Sequence, residues 1–357
     1  MGTRDQSLDI YRGLIMIYIV GVIHVIFWLQ PFAITVEYFL LFEMAVIFFV
    51  TGASHTMSRP KSLLSLYITR FSRILIPYLI FSVICLLMLF VNGALKNELP
   101  AGYSKTALIL EWLNPFGKRP ANIAYINWHG WFVPVYLVVT LLIPHAYKLF
   151  EKMKGLLKAV PLLLLAGLVY WTDLHGPWVG KIAYIKYASY YLFWVYLGFF
   201  YPILKQASAA KWVLLSFSGV SLYAVYWLSA AGQYPLDMQL NKFPPNFMFL
   251  MFCLGAFGVA SLGKPLYLAL YKVRLFKRII DQYSNYSLTI YLYHPLAFLL
   301  IGFLFREVEA LRVLTDNPYV LTLSYSILAV AFVYVLPYLF GRFERIKIPG
   351  SFAGRKK

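Results

Sequence analysis

Charged residues are scarce in this sequence, and acidic residues are the scarcest of them. Only 13% of the 357 residues are Asp, Glu, Lys or Arg, whereas soluble globular proteins average roughly 25%. Hydrophobic residues make up 61% of the chain, and the mean hydropathy is +0.70. So few charges cannot cover the surface of a water-soluble protein of this length. The composition therefore excludes an ordinary soluble protein and predicts one that crosses a membrane several times.

The shortage of acidic residues leaves 14 Asp and Glu against 32 Lys and Arg, a formal net charge of +18. In a soluble protein this surplus would suggest a nucleic-acid partner. In a membrane protein it follows from the positive-inside rule, because cytoplasmic loops carry the excess of Lys and Arg. With the N-terminus in the cytoplasm, most basic residues fall in cytoplasmic segments. We therefore expect the lipid bilayer as a partner, and no nucleic acid.

Cysteine is nearly absent, since the chain has only Cys85 and Cys253, each inside an apolar run. Two such residues predict neither a disulfide framework nor a metal site, and no metal is expected. The sequence also lacks the motifs of phosphate-binding loops, HExxH metalloproteases, GxSxG hydrolases and CxxC redox proteins. Any reaction must then draw its energy from an activated donor or a gradient. No signal peptide is expected before the first apolar run.

The number and length of the apolar segments predict the fold. A membrane-spanning helix needs about 20 mostly apolar residues, and this rule predicts an all-α, polytopic membrane helix bundle of about ten transmembrane helices with both termini cytoplasmic. We expect residues 1–345 to form a single transmembrane domain and residues 346–357 a basic cytoplasmic tail. The predicted spans are roughly 11–29, 33–54, 72–92, 131–149, 157–172, 184–204, 211–230, 245–263, 285–304 and 318–340.

The longest loop, about 93–130, is predicted to lie outside the membrane. Its length suits a lid or a segment that contacts an acceptor. Aromatic residues in or beside it are candidates for stacking on sugar rings; they are Trp112, Tyr125, Trp128 and Trp131.

The first apolar run, RGLIMIYIVGVIH, begins with Arg12 and Gly13 and ends with His24. Ionisable groups within a membrane cost at least about 2.5 kcal/mol at a helix centre and mark functional positions by default. Arg12 and His24 lie roughly 18 Å apart along the helix axis, so the arginine is near the cytoplasm and the histidine past the midplane. His24 is a candidate proton acceptor; a hydrogen-bonded structural histidine is the alternative.

A second basic feature is the stretch YITRFSRILIPY, in which Arg70 and Arg73 are three residues apart. They share a helix face, and their guanidinium groups suit a phosphate. The alternative is a pair of cytoplasmic anchors that reach lipid phosphates.

Five further side chains are candidates for a substrate pocket: Glu43, His129, Trp131, Tyr291 and His294. Glu43 needs a buried cation or donor, which His24 or an arginine would supply. The aromatic side chains near span ends are also typical of an interfacial belt. His294 is harder to explain in that way, because Pro295 leaves a carbonyl one turn back without its helical donor.

Four segments in order resemble the acyltransferase-3 family of bacterial integral-membrane O-acyltransferases. SLDIYRG followed by His24 resembles the family's opening segment. FFVTGASHTMSRPKSLLSLYITRFSRILIPY resembles its FFxxSG segment, basic loop and RxxRxxxPY stretch, and WFVPVYL and SLTIYLYHPL resemble its WFLP and IYLxHP signatures. The resemblance runs from about residue 5 to about residue 300, and ten spans is the family's number.

The resemblance implies an acyl-CoA-dependent O-acyltransferase of the bacterial cytoplasmic (inner) membrane. Such an enzyme moves an acyl group, usually acetyl, from cytoplasmic acetyl-CoA to a hydroxyl of a cell-surface or lipid-linked glycan, as in O-antigen lipopolysaccharide, capsule or exopolysaccharide. It also implies catalytic roles for His24, as general base or transient acyl carrier, and for Arg12, and a coenzyme A-binding role for Arg70 and Arg73. Many relatives carry a fused soluble esterase-like domain; without one, we expect direct transfer within the bundle.

One spacing departs from the family. Eleven residues separate Arg12 from His24, one more than the family usually has. On a straight helix the usual spacing leaves the two side chains about 20° apart, and the longer one about 120° apart. A one-residue π-bulge would restore the alignment, and such bulges occur often at functional sites. We therefore predict that the first span is bulged or unwound between Gly13 and His24.

Two other functions fit parts of the sequence. A transporter or flippase of a glycan or organic acid would also have many spans, prolines within helices and a few buried charges. It would show repeats in its two halves, and no convincing repeat is present. A structural partner of a polysaccharide synthase would leave His24 unexplained.

Overall fold

The computed structural model of the chain describes residues 5–30, 37–57, 62–96, 104–117, 128–176, 183–207 and 210–346. Across these residues the regular structure is helical and contains no strand, which confirms the all-α prediction. The helices are α1 Gln6–Tyr18, α2 His24–Leu29, α3 Glu43–Thr56, α4 Leu63–Lys96, α5 Lys105–Leu113, α6 Phe132–Lys152, α7 Val160–Leu174, α8 Ala183–Phe199, α9 Tyr201–Gln206, α10 Ala210–Ala230, α11 Met238–Lys242, α12 Phe247–Ser261, α13 Lys264–Lys272, α14 Arg274–Asn285, α15 Ser287–Glu307, α16 Glu309–Arg312 and α17 Pro318–Glu344.

Each of the ten predicted spans contains a helix, but the helices differ in length. Within the described residues seven are long and apolar enough to cross a membrane, or eight if α12 and α13, which meet at a 52° bend, form one span. Two others, α3 with 14 residues and α8 with 17, are shorter than the usual span. A multi-pass membrane protein is therefore confirmed, while the number ten and the cytoplasmic termini stay predictions. The predicted tail lies outside the described residues from 347 onwards.

Outward-facing side chains support the membrane assignment. On α7, Leu163 is 71% exposed, and on α10, Val220 is 68% exposed. Large exposed apolar surfaces are unusual in soluble monomers. On these two helices they form the surface that hydrocarbon chains would cover.

The chain divides into two compact units. The first comprises residues 1–59 and 139–285, and the second comprises residues 60–138 and 286–357. In the first unit α3 packs on α8, α10 on α12, and α1 on α14. The close packing of α3 on α8 needs glycine at position 52, because a Cβ there would lie 2.0 Å from the carbonyl oxygen of Val195. Gly52 belongs to the FFVTGAS segment, so that motif residue serves helix packing.

In the second unit α15 packs on α17, and both pack on α4. Its apolar core includes Tyr78, Phe81, Trp112 and Tyr293. The Tyr78 hydroxyl donates to the carbonyl of Trp112 at 2.9 Å, which fixes α5 against α4. This unit carries the longest helix of the described chain, α4 with 34 residues.

The N-terminus of α1 is held by Asp5. Its carboxylate caps the helix by accepting the Ser7 backbone N–H, and it also accepts from Lys205 Nζ at 2.8 Å and from the Tyr201 hydroxyl. Burial raises the pKa of Asp5, but the hydrogen bond and charge of Lys205 and the Ser7 N–H outweigh that effect and hold it below its ordinary value of 3.8. α1 thus begins at a fixed point on α9.

Candidate functional site

The first span changes its helical pitch immediately before His24. Residues Ile19–Ile23 form a π-helix between α1 and α2, and the backbone N–H of His24 donates to the carbonyl of Ile19, five residues earlier. The prediction of a bulge between Gly13 and His24 is confirmed. One inserted residue makes twelve positions behave as eleven, for which ideal helix geometry gives an angle of about 20° around the axis and a rise of roughly 16 Å between Arg12 and His24. His24 itself is buried, with 7% of its surface exposed.

Arg12 is held by two neighbours in the first unit. One terminal nitrogen donates to the Ser54 hydroxyl at 2.9 Å, and the other lies 3.3 Å from the Asp9 carboxylate, one turn back on α1. Gly13 follows directly and packs against α14, where a Cβ would lie 2.4 Å from the carbonyl oxygen of Ile280. The Arg-Gly pair therefore combines a fixed cation with a close helix contact.

Glu43, the first residue of α3, forms a buried ion pair with Lys242. The lysine Nζ donates to Oε1 of Glu43, and the two side chains are only 6% and 2% exposed. The partner in the described residues is therefore Lys242, whereas His24 or an arginine was expected from the sequence. The second carboxylate oxygen, Oε2, has no hydrogen-bond partner among the described residues. A buried pair with one unsatisfied oxygen is costly to hold and keeps a polar acceptor inside the first unit.

A second buried ion pair joins Asp173, near the end of α7, to Lys186 of α8 at 2.5 Å. The carboxylate also accepts from the Tyr234 hydroxyl at 2.8 Å and from the backbone N–H of Phe247 at 2.7 Å. Asp173 thereby ties three separate segments of the first unit together. The number of partners indicates a structural role for this pair.

Arg70 and Arg73 lie on α4 in the second unit. Arg70 is half-buried, with Tyr67, Tyr136 and Arg73 as its nearby titratable groups. Arg73 is more open, with 57% of its side chain exposed, and lies 3.9 Å from Glu344 Oε1. The other oxygen of Glu344 accepts from the backbone N–H and the hydroxyl of Thr289, at 3.0 and 2.9 Å. Arg73 thus has the carboxylate of Glu344 nearby and is still accessible from outside the protein.

His129, Tyr291 and His294 form one cluster in the second unit. The His129 ring lies 5.0 Å from the His294 ring and 5.2 Å from the Tyr291 ring. His129 Nε2 donates to the carbonyl of Leu292 at 3.1 Å, and the Tyr291 hydroxyl donates to the carbonyl of His129 at 3.0 Å. Both histidines are fully buried. These bonds fix the 3₁₀ turn that precedes α6 against α15.

His294 occupies the position created by Pro295. A residue other than proline at 295 would donate its N–H to the carbonyl of Tyr291, four residues earlier. Instead, His294 Nδ1 donates to that carbonyl at 2.7 Å. The side chain thus replaces the missing backbone bond, a structural role for this histidine. Trp131 is half-buried at the start of the same region, with its ring 6.4 Å from that of Phe132.

Comparison with known families matches an acyltransferase domain over residues 5–342 of this chain. The chain belongs to the acyltransferase-3 family. No curated protein and no solved structure matches it. Membership makes the protein a membrane acyltransferase, and the match extends beyond residue 300, where the recognisable motifs end.

The structure groups the motifs of this acyltransferase in pairs. The Arg12–Ser54 hydrogen bond joins the opening segment to FFVTGAS in the first unit. In the second unit, the rings of Phe132 and Tyr291, 5.0 Å apart, join the segments WFVPVYL and SLTIYLYHPL. His24, Arg12 and Glu43 therefore belong to the first unit, whereas Arg70, Arg73, His129, Trp131, Tyr291 and His294 belong to the second.

Sequence reasoning missed three partners in the acyltransferase: Ser54, Lys242 and Glu344. Ser54 lies within the motif FFVTGAS, two residues after Gly52, so its place in the motif was a signal that it has a role. Lys242 lies in a polar connection between two spans and Glu344 at the end of the last one, where charged residues are ordinary. Their burial, at 5% and 3% exposure, has no counterpart in local sequence.

The structure describes part of the loop at about 93–130 that was predicted to lie outside the membrane. Tyr125 and the side chain of Trp128 lie outside the described residues. Trp112 is 1% exposed and belongs to the core of the second unit, so its ring packs on protein and does not face an acceptor. Within the described ranges no group of three His, Cys, Asp or Glu side chains is placed to hold a metal ion.

Proposed function

We propose that this membrane acyltransferase transfers an acetyl group from cytoplasmic acetyl-CoA to a hydroxyl of a cell-surface or lipid-linked glycan. The glycan would be part of an O-antigen lipopolysaccharide, a capsule or an exopolysaccharide. The enzyme would lie in a bacterial cytoplasmic membrane with both ends of the chain inside. Residues 1–345 would act as one transmembrane domain with a basic tail.

The observation that carries the proposal is the π-helical turn that ends at His24. It aligns His24 with Arg12 despite the additional residue between them, and it does so within a family of acyltransferases. Single π-turns within α-helices are found frequently at functional sites. His24 would accept the proton of the glycan hydroxyl as that oxygen attacks the acyl carbon. The carbon–sulfur bond of the thioester would then break, and coenzyme A would leave as the thiol with that proton. Arg12, held by Ser54 and Asp9, would supply fixed positive charge on the same helix face.

The donor would bind through Arg70 and Arg73. Acetyl-CoA supplies an activated thioester, and its phosphates require cations that can reach them. Arg73 fits this requirement because more than half of its side chain is exposed, and Arg70 adds a second guanidinium three residues earlier on the same helix. Glu344 would hold Arg73 near α15 until a phosphate replaces it.

The acceptor would be oriented by the remaining candidates. Glu43 keeps one oxygen without a described hydrogen-bond partner, so it would accept from a sugar hydroxyl that enters the first unit. Trp131 is half-buried at the start of α6 and has a ring face suited to stacking on a sugar. His129, Tyr291 and His294 would support this region through the bonds that fix the turn before α6.

The test uses the purified protein in liposomes with labelled acetyl-CoA and a mixed glycan acceptor. Wild type should label the glycan, and His24→Ala should lose about 10²–10⁴-fold in rate while coenzyme A still binds, since this is the usual contribution of a general base. His145→Ala, which changes an exposed histidine on α6, is the matched control and should retain activity. Equal rates for wild type and His24→Ala would remove the proposed base. No label and no coenzyme A binding would instead favour the transporter.

A further inference from the structure

The first unit contains a cavity of about 660 Å³ that the proposed reaction does not use. It lies on a face of α1 formed by Tyr11, Ile15 and Tyr18, which follow one another at helical spacing. Typical ligand pockets measure roughly 300–1,000 Å³. The cavity is therefore large enough for a ligand.

Most of the cavity wall is apolar. α3, α10 and α12 contribute side chains such as Val46, Leu214 and Phe257. The rings of Tyr18 and Phe42 lie 5.3 Å apart at the end farther from the N-terminus of α1. A ligand buried here must present hydrocarbon to these walls, because polar groups without partners would be costly.

The opposite end of the cavity is basic. Lys205 lies in the last turn of α9, Lys211 is at the start of α10, and Lys264 begins α13; all three line the cavity and are exposed. The carboxylate of Asp5 accepts from Lys205 at 2.8 Å and offsets one of the three charges. The hydroxyl of Tyr11 also lines the cavity, whereas those of Tyr201, Ser261 and Tyr267 donate to Asp5 and to the carbonyls of Gly258 and Ala260. This end therefore has a surplus of positive charge, which suits a phosphate.

We propose that this cavity binds an anionic phospholipid, with its acyl chains against the apolar walls and its phosphate among Lys205, Lys211 and Lys264. The three lysines lie in segments predicted to face the cytoplasm, so the lipid would come from the cytoplasmic leaflet. A glycan does not fit, because its hydroxyl groups would face walls with few polar partners. All the residues that line the cavity belong to the first unit, whereas Arg70 and Arg73 belong to the second. The proposal does not depend on the proposed acyl transfer.

The experiment places the full-length protein in phosphatidylcholine nanodiscs that contain a small amount of photoreactive phosphatidylglycerol. A parallel sample contains photoreactive phosphatidylcholine instead. After illumination, mass spectrometry identifies the labelled peptides. Three variants accompany wild type: Lys211→Gln/Lys264→Gln removes charge, Leu214→Trp fills the cavity, and Lys148→Gln/Lys272→Gln is the control, with two lysines of the same unit that do not line the cavity.

We expect phosphatidylglycerol to label peptides from α9 to α13 in wild type. Labelling should fall about tenfold or more in Lys211→Gln/Lys264→Gln, since each lysine near anionic lipid contributes about 1 kcal/mol. Leu214→Trp should reduce it as well, and the control should match wild type. If Leu214→Trp does not fold, the two lysine variants still decide the question, because their changes are on exposed side chains.

Three results would overturn the proposal. Equal labelling by phosphatidylcholine would show that the cavity does not select a charged headgroup. Wild-type labelling of Lys211→Gln/Lys264→Gln would show that the lysines do not bind the lipid. Displacement of the label by a polyprenyl phosphate or by acetyl-CoA, in preference to unlabelled phosphatidylglycerol, would assign the cavity to that compound instead.

Discussion

The buried histidines His24 and His294 have different backbone surroundings in the two units. In the first unit, His24 ends a π-helical turn, and the irregular backbone changes the direction in which its side chain points. In the second unit, His294 lies within the regular helix α15 and donates to the carbonyl that Pro295 leaves without a helical donor. The π-helical backbone thus positions His24, whereas His294 supplies the hydrogen bond that Pro295 cannot donate.

The charged groups follow the same division. The first unit holds two buried ion pairs, Lys242–Glu43 and Lys186–Asp173. The ion pair described in the second unit between α4 and α17, Arg73–Glu344, has an arginine that is 57% exposed. Burying a charge pair is costly unless geometry compensates. The first unit therefore buries both members of these ion pairs, whereas the second presents Arg73 at its surface, where the proposed donor would meet it.

The largest expected effect comes from changing the length of the π-turn. Deleting Val22 removes the additional residue, so a regular α-helix would keep Arg12 and His24 about 20° apart. Inserting one alanine between Val20 and Gly21 would rotate them to about 120°. We expect the deletion to retain measurable acetyl transfer and the insertion to lose at least about a hundredfold, the lower range for a general base.

The insertion serves as the matched control for the deletion, since both alter the same turn by one residue. Transfer rates are compared at equal amounts of monodisperse protein in liposomes. Similar activity in the two variants would show that the angle between Arg12 and His24 is irrelevant. The contrast between the irregular first span and the regular α15 would then have no catalytic meaning.

The buried pair Lys242–Glu43 gives the next largest effect. Lys242→Met leaves Glu43 buried without its cation, which should cost about 3–5 kcal/mol of stability. Lys242→Met/Glu43→Gln removes both charges and should recover much of that loss. Thermal unfolding followed by size-exclusion chromatography measures both. If the double variant is as unstable as the single one, the pair does not act as a unit and the proposed polar interior of the first unit is weakened.

Composition and local pattern were enough to predict the helical class, the family and the irregular first span. The π-turn was predicted because the spacing between Arg12 and His24 is one residue longer than the resemblance to the family implies, and a helix has a fixed angular step. The partners of Glu43 and Arg73 could not be predicted in this way. Lys242 and Glu344 are 199 and 271 positions away along the chain, as their numbers show, and only tertiary packing selects them. Local sequence reveals that a buried charge needs a partner, but not which residue supplies it.

A variant of His294 tests the structural side of the comparison. His294→Ala removes a fully buried ring and the donor to the Tyr291 carbonyl, so stability should fall by about 2–4 kcal/mol. The double variant His294→Ala/Pro295→Ala restores a backbone N–H at position 295, which should recover part of the loss. Thermal unfolding is the measurement, and acetyl transfer per folded molecule should change less than in His24→Ala. Absence of any recovery would contradict the account of Pro295.

The smallest effect concerns the exposed cation of the second unit. Arg73→Ala should weaken acetyl-CoA binding about tenfold, which corresponds to one charge-assisted phosphate contact. Glu344→Gln should strengthen binding about threefold, because it removes the carboxylate that lies 3.9 Å from Arg73. The effect should be small because the Arg73 side chain is exposed, and water weakens its ion pair. Arg342→Ala, which changes another arginine of α17, is the control, and isothermal titration calorimetry measures the affinities. Equal losses in Arg342→Ala and Arg73→Ala would mean that coenzyme A responds to the general charge of this surface, and that Arg73 has no particular role in binding it.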